Sequence, residues 1–351
     1  MIEIKELNRN WREFSLTNIN LDIKEGEYFV VLGPTGAGKT LLLELIAGFH
    51  HPDRGEIWID DENVTSLPPE ERGIGFVYQD YSLFPHLTVG ENIEFGLRLK
   101  EISESDMRRR TKEIGDLLNI SHLFHRSPRT LSGGEQQKVA LARAIVIEPS
   151  VLLLDEPLSA LDARTRDVLR EELRKIHREA EITTVHVTHD QTEAMFLADR
   201  IGVLMGGEIA QVGTPGEIFN APINERVAEF VGVENIIEGV IESNEDGVTV
   251  ISINGHRIEA VSTYSVGDRV RVCLRPEDVT LAFSRERSSA RNSFKGTITQ
   301  VVPLGALTRV RVDCGFPLMA LVTKRSVEDL GLMEGDEVIA SFKAIAVHLI
   351  R

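Results

Sequence analysis

Residues 33–40 run Gly33-Pro34-Thr35-Gly36-Ala37-Gly38-Lys39-Thr40. The octet fits G-x-x-x-x-G-K-[ST] and stands where that pattern has physical meaning, after the apolar run Tyr28–Leu32 and before a helical stretch over 41–47. Glycines let backbone N–H groups curl around phosphate oxygens with no Cβ in the way. Lys39 would neutralise the β- and γ-phosphates, and the Thr40 hydroxyl would ligate Mg²⁺. A flexible Gly-rich turn is a much poorer account of these eight residues in this context.

Two further stretches complete the chemistry. Residues 151–154, Val-Leu-Leu-Leu, form the continuous apolar run of a strand buried on both faces, and it ends in Asp155-Glu156. Asp155 is placed to hold Mg²⁺, Glu156 to polarise an attacking water. Leu131-Ser132-Gly133-Gly134-Glu135-Gln136-Gln137 opens an amphipathic helix, where the Ser132 hydroxyl and free N–H groups make a second anion site. Two copies paired head-to-tail about a two-fold would bury each nucleotide between these unlike motifs.

Around them, strand-like runs (28–32, 74–78, 151–154, 184–187, 201–205) alternate with helical ones (41–47, 103–118, 135–147, 164–179). That alternation predicts an α/β fold with a mainly parallel sheet covered on both faces. The helices between 83 and 150 read as a helical insertion. From about 235 the chain turns to short strands with Gly-Asp turns, the pattern of a small β-barrel or sandwich. It also repeats itself: Gly239-Val240-Ile241 matches Gly296-Thr297-Ile298, and Gly267-Asp268 matches Gly335-Asp336, at offsets of 57 and 68 residues. The expected division is 1–232 and 235–351, the latter in two copies, 236–284 and 290–351, with the second enlarged near 323–332.

The ordered set of motifs resembles the nucleotide-binding subunit of an ABC transporter, over residues 1–232. The resemblance implies a P-loop ATPase fold and roles for single residues. Gln79 would reach Mg²⁺ and relay contact with a membrane subunit. Asp162, in Ser159-Ala160-Leu161-Asp162, would lie on a loop crossing to the other protomer; His189 would contact the γ-phosphate, and Trp11 would stack on adenine. Glu135 and Lys138 stand where the family more often has Gln and Arg. The stretch 80–89 looks like importer ATPases that serve separate membrane subunits, and 274–279 resembles the transport-associated OB-type (TOBE) domain of that class. Ser289, Arg291, Thr323, Ser326 and Lys343 are similar to the donor set of the Mop-type module that binds molybdate and tungstate. Such a dianion wants hydroxyl and N–H donors with one or two cations. Ile345-Ala346 stand where the family places serines, which removes a hydroxyl donor.

The resemblance thus implies ATP and Mg²⁺ as cofactors and molybdate or tungstate as a regulatory ligand. It also implies a homodimer, two permease subunits, an external oxyanion-binding protein, and a place on the cytoplasmic face of the membrane. The alternative is an importer ATPase for another solute, such as sulfate, a sugar, a polyamine or iron. Composition argues against nucleic acid as a partner: 39 Lys and Arg against 55 Asp and Glu give a net charge of −16. Cys273 and Cys314 are the only cysteines, which excludes a disulfide framework and suits a reducing compartment. The start of the chain lacks the apolar core of a signal peptide, and no apolar run approaches the roughly 18 residues of a membrane helix.

Overall fold

The computed structural model describes residues 1–100, 102–284 and 288–351. They form two compact units, Met1–Pro215 and Gly216–Arg351.

The strands of the first unit are β1 (Ile2–Asn10), β2 (Ser15–Ile23), β3 (Tyr28–Leu32), β4 (Arg54–Ile59), β5 (Glu62–Asn63), β6 (Ile74–Val77), β7 (Val151–Asp155), β8 (Thr183–Thr188), β9 (Arg200–Met205) and β10 (Glu208–Gly213). Every residue of β3, β7 and β8 is buried, as expected for central strands covered on both faces. They lie in a six-stranded sheet of order β10-β9-β3-β8-β7-β6. All neighbours in it are parallel except the edge pair β9 and β10. Register decides where the chemistry goes. Leu32 pairs with Thr188 and Asp155 with Val187, so β3, β7 and β8 end side by side at one sheet edge. In open α/β sheets that carboxyl edge is where ligands bind.

The same unit holds α1 (Lys39–Ala47), α2 (Val89–Leu99), α3 (Glu104–Leu117), α4 (Gly133–Ile145), α5 (Ala163–Ala180) and α6 (Gln191–Leu197). The three helices α2 to α4 are inserted between β6 and β7. Thr88 starts α2 and Ser132 starts α4 with the same device: each hydroxyl accepts the N–H three residues on, and that residue's carboxylate reaches back to the cap N–H. A second, antiparallel sheet of order β2-β1-β4-β5 shares the core of α1 and the central strands. Among the described residues no helix is long and apolar enough to cross a membrane.

The second unit opens with α7 (Pro215–Asn220) and α8 (Glu225–Phe230), which the sequence reading grouped with the first half. They are tied to the strands beyond them: the Arg275 guanidinium donates to Phe219 O at 2.7 Å, and a His348 ring nitrogen lies 3.0 Å from Pro222 O. The strands are β11 (Asn235–Glu245), β12 (Val248–Ile253), β13 (His256–Val261), β14 (Arg269–Leu274), β15 (Thr280–Ala282), β16 (Asn292–Leu304), β17 (Leu307–Asp313), β18 (Pro317–Thr323), β19 (Glu337–Phe342) and β20 (His348–Ile350). One helix, α9 (Lys324–Leu330), sits between β18 and β19, inside the expected enlargement of the second copy.

Two five-stranded antiparallel sheets result, ordered β13-β12-β11-β14-β20 and β15-β19-β16-β17-β18. Each copy lends its last strand to the other sheet, so β15 pairs with β19 and β20 with β14. A pair of buried asparagines repeats the exchange. Asn235 exchanges both amide hydrogen bonds with the Met319 backbone, at 2.6 and 2.9 Å. Asn292, its counterpart one repeat on, does the same with Glu259 at 2.7 and 2.9 Å. Each asparagine therefore ties its own copy to a strand of the other.

Removing either amide strands a backbone N–H and a C=O in the interior, a loss of about 1–3 kcal/mol. Asn292→Ala is expected to lower the urea midpoint of the C-terminal unit with an unchanged m-value. A parent-like midpoint would contradict this role.

Candidate functional site

The loop 33–38 links β3 to α1, and its glycines answer to different demands. Gly36 (φ 81°) and Gly38 (φ 95°) take left-handed backbone, and Gly38 is the N-cap of α1. A Cβ on Gly38 would come within 2.5 Å of the Phe14 ring, and one on Gly33 would strike the Leu204 carbonyl of β9. A Cβ on Gly36 would meet nothing within 4 Å. Two glycines thus press the loop against the fold, and the third leaves an open cradle over the start of α1. A helix start with unpaired N–H groups favours an anion.

Lys39 is 5% exposed. Its ammonium donates to Gly33 O (3.0 Å) and Pro34 O (3.1 Å) and lies 3.5 Å from Glu156 Oε1. Burial lowers its pKa, and the Glu156 carboxylate acts in the opposite direction. The Thr40 hydroxyl donates to Asp155 Oδ1 at 2.9 Å. Burial raises the Asp155 pKa, partly opposed by that hydrogen bond. Among the described residues no three His, Cys, Asp or Glu side chains gather to cage a metal by themselves. Thr40 and Asp155 instead offer two adjacent oxygens, a donor set that suits a hard dication keeping water and phosphate oxygens as its other ligands.

Glu156 follows β7 with φ 41°, strained for a residue with a Cβ, and its N–H donates to Val187 O of β8 at 3.0 Å. In that conformation its carboxylate is poised between Lys39 and His189, whose Nδ1 lies 3.1 Å from Oε2. Gln79 reaches the Ser159 hydroxyl at 3.5 Å, and that hydroxyl donates to Glu156 O at 2.9 Å. Gln79 and Asp155 line one open depression. Lys39, Thr40, Gln79, Asp155, Glu156 and His189, drawn from four separate stretches, therefore share one site.

The remaining ATPase-half candidates are held by other contacts. Asp162 caps α5, accepting from Thr165 N at 3.1 Å and from the Thr165 hydroxyl at 2.7 Å, which lowers its pKa. Trp11 packs edge-on against His50 with the Arg9 guanidinium 5.6 Å from its ring centroid. Trp11 N donates to Phe14 O, which closes the turn that sets Phe14 under Gly38. Phe14 was not singled out from the sequence, where it is one aromatic in a polar turn. Ser132 and Glu135 cap α4 as above; a Cβ on Gly134 would come within 2.8 Å of the Thr165 methyl group. Among the described residues no hydrogen bond or ion pair joins 132–134 to the loop 33–40.

The oxyanion candidates fall into two groups. Arg291 precedes Asn292, which pairs with Phe342, so Lys343 follows at the same end of β16. Ser289 is exposed just before this strand, and Arg291 lies 3.9 Å from Glu259. Lys343 also lines a cavity of about 660 Å³ with Arg275, Asp278 and His348. Thr323 and Ser326, hydroxyl to hydroxyl at 2.7 Å, lie beyond Leu307 and Leu304 at the other end of β16. Within one chain these five residues do not converge.

Known proteins resemble this chain in both of its units. The family profile described as ABC transporter matches residues 16–159, and the TOBE domain profile matches 288–349, the second of the two repeats. The molybdate/tungstate import ATP-binding protein WtpC of Pyrococcus horikoshii is 45% identical over 350 residues, covering 99% of each chain. The spermidine/putrescine import ATP-binding protein PotA of Thermotoga maritima is 41% identical, over 90% of this chain and 88% of its own. The dimeric ATP-binding cassette MJ0796, solved in a post-hydrolysis state with ADP and Pi, superposes with a TM-score of 0.55 at 35% identity. It covers 61% of this chain and 99% of its own.

The raised pKa of Asp155 has a consequence for stability. The folded state holds this proton to higher pH than the unfolded chain does, so stability falls as pH rises through the folded value. Asp155→Asn removes that cost. Its thermal midpoint at pH 7 should equal or exceed the parent's, with the gap closing at acid pH, while nucleotide turnover falls by about 100-fold or more. A lower midpoint at pH 7 would contradict this.

Proposed function

The chain belongs to the ABC transporter family as an ATP-binding, ATP-hydrolysing import subunit, and from that premise we propose that it energises uptake of molybdate or tungstate. One observation carries the catalytic half: Lys39, Asp155, Glu156 and His189 converge at one sheet edge beside an open glycine cradle. Identity of 45% across 99% of both chains to a molybdate/tungstate import protein supports the substrate. PotA is similar over a smaller share of the chain, which makes a polyamine importer the second reading.

The cradle and Lys39 bind the triphosphate. Thr40, Asp155 and Gln79 would hold Mg²⁺, which would supply charge neutralisation for phosphoryl transfer. Glu156 orients and polarises the attacking water, and His189 donates toward the γ-phosphate from beside it. Trp11 faces the base. Ser132, Gly133 and Gly134, with Asp162, serve the nucleotide of a second copy, so the working unit is a homodimer; the dimeric MJ0796 cassette supports this arrangement. Two permease subunits receive the motion through the region of Gln79 and α2 to α4, fed by an external oxyanion-binding protein, with the ATPase peripheral on the cytoplasmic face.

The C-terminal unit (235–351 in this reading) senses the cargo. Because Arg291 and Lys343 lie at one end of β16 and Thr323 and Ser326 at the other, a complete oxyanion site needs a second module. Oxyanion bound there holds the ATPase domains apart when it is abundant.

Glu156→Gln is expected to bind MgATP but hydrolyse it at under about a tenth of the parent rate, as loss of a general base dictates; near-parent turnover would overturn the role of Glu156. In calorimetric titrations, molybdate and tungstate should bind in preference to sulfate and phosphate, and Arg291→Ala or Lys343→Ala should abolish binding. Equal binding of all four anions, or none, would refute the sensor.

A further inference from the structure

Behind the site lies a chain of polar groups that the catalytic reading does not use. Tyr28, His186, Thr188 and Glu193 are all fully buried, on β3, β8 and α6. Glu193 Oε2 accepts the Thr188 hydroxyl at 2.8 Å, and His186 Nε2 lies 3.4 Å from the same oxygen. The other ring nitrogen of His186 is 2.9 Å from the Tyr28 hydroxyl. Thr188 Oγ1 in turn accepts the Asp190 N–H at 3.0 Å, and Asp190 Oδ1 accepts the N–H groups of Thr192 (2.7 Å) and Glu193 (3.1 Å). Asp190 is also paired with Arg166 at 3.4 Å, and Arg166 donates to Leu161 O at 2.9 Å, one residue before Asp162.

A buried carboxylate is tolerated only where donors surround it. Here the Thr188 hydroxyl donates to it and His186 Nε2 stands 3.4 Å away, and both lower the Glu193 pKa against the effect of burial. An ionised carboxylate accepts and never donates. Thr188 must then direct its only proton to Glu193, which leaves its lone pairs for the Asp190 N–H. Direction is thereby fixed from the Asp190 N–H through the Thr188 hydroxyl to Glu193. His189 lies between Thr188 and Asp190, and its own side chain is half exposed, so neighbouring packing does little to hold it.

We propose that Glu193 is a positioning residue for His189, acting through the Thr188 hydroxyl and the Asp190 backbone to aim the imidazole at the site it shares with Glu156. The proposal rests on the catalytic role given to His189 above. Misplacing a catalytic group by about 1 Å lowers rates by up to about 100-fold with little effect on ground-state binding.

The test compares full-length Glu193→Gln, Thr188→Val and Thr188→Ser with the parent, with rates normalised to the folded fraction measured by circular dichroism. Glu193→Gln and Thr188→Val are expected to lose about 10- to 100-fold in kcat for ATP with KM within about two-fold, and Thr188→Ser to recover most of kcat because it restores the hydroxyl. Parent-like kcat in the first two variants, a Thr188→Ser as slow as Thr188→Val, or losses wholly explained by unfolding would each overturn it. His189→Ala separates the two levels of the claim. If it is slow while Thr188→Val is not, only the positioning role fails; if it runs at the parent rate, the role of His189 fails with it.

Discussion

The in-register parallel pairing of β3, β7 and β8 is the constraint on which the rest depends. Because Leu32 faces Thr188 and Asp155 faces Val187, the phosphate loop, the paired carboxylates and His189 leave the sheet at one height. A slip of one residue would turn each central side chain to the other face and part these groups. All three strands are completely buried, so a slip would also disturb close packing on both faces of the sheet. The strained backbone at Glu156 is held by the same sheet, through its hydrogen bond to Val187.

Much of this was legible in the residues. The continuous apolar runs of β3 and β7 identify strands buried on both faces, and the motifs that follow them identify the site. Less legible was the antiparallel sheet of β1, β2, β4 and β5. Its strands bury alternate residues, and register shifts between Ile4 and Leu7 and between Leu7 and Arg9 break that period in β1. Phe14 and the Tyr28–His186–Glu193 chain were equally hidden. Their importance comes from contacts between residues far apart in sequence, which no local pattern records. The oxyanion candidates pose the reverse case, since their sequence likeness to a binding module is plain while one chain places them at two ends of β16.

The C-terminal unit solves the problem of a small β-domain by exchange. Each copy completes the other's sheet with its last strand, and Asn235 and Asn292 repeat the tie with buried amide pairs. β14 and β19 are thereby paired, and the edge beside each becomes a strand of only 3 residues. The two sheets have matching strand orders, as the duplication read from the Gly-Asp turns would require, and α9 lies between β18 and β19.

In the proposed working unit two protomers close around MgATP, each presenting Ser132 to Gly134 to the loop 33–40 of its mate. Within one chain the two motifs share no hydrogen bond or ion pair among the described residues. Sedimentation velocity of the hydrolysis-blocked Glu156→Gln protein, with and without MgATP, tests this most directly. A nucleotide-dependent doubling of mass, lost when Ser132 is replaced by a bulky residue, is the predicted result. A mass that does not respond to MgATP, or one that responds equally in the Ser132 variant, would contradict it.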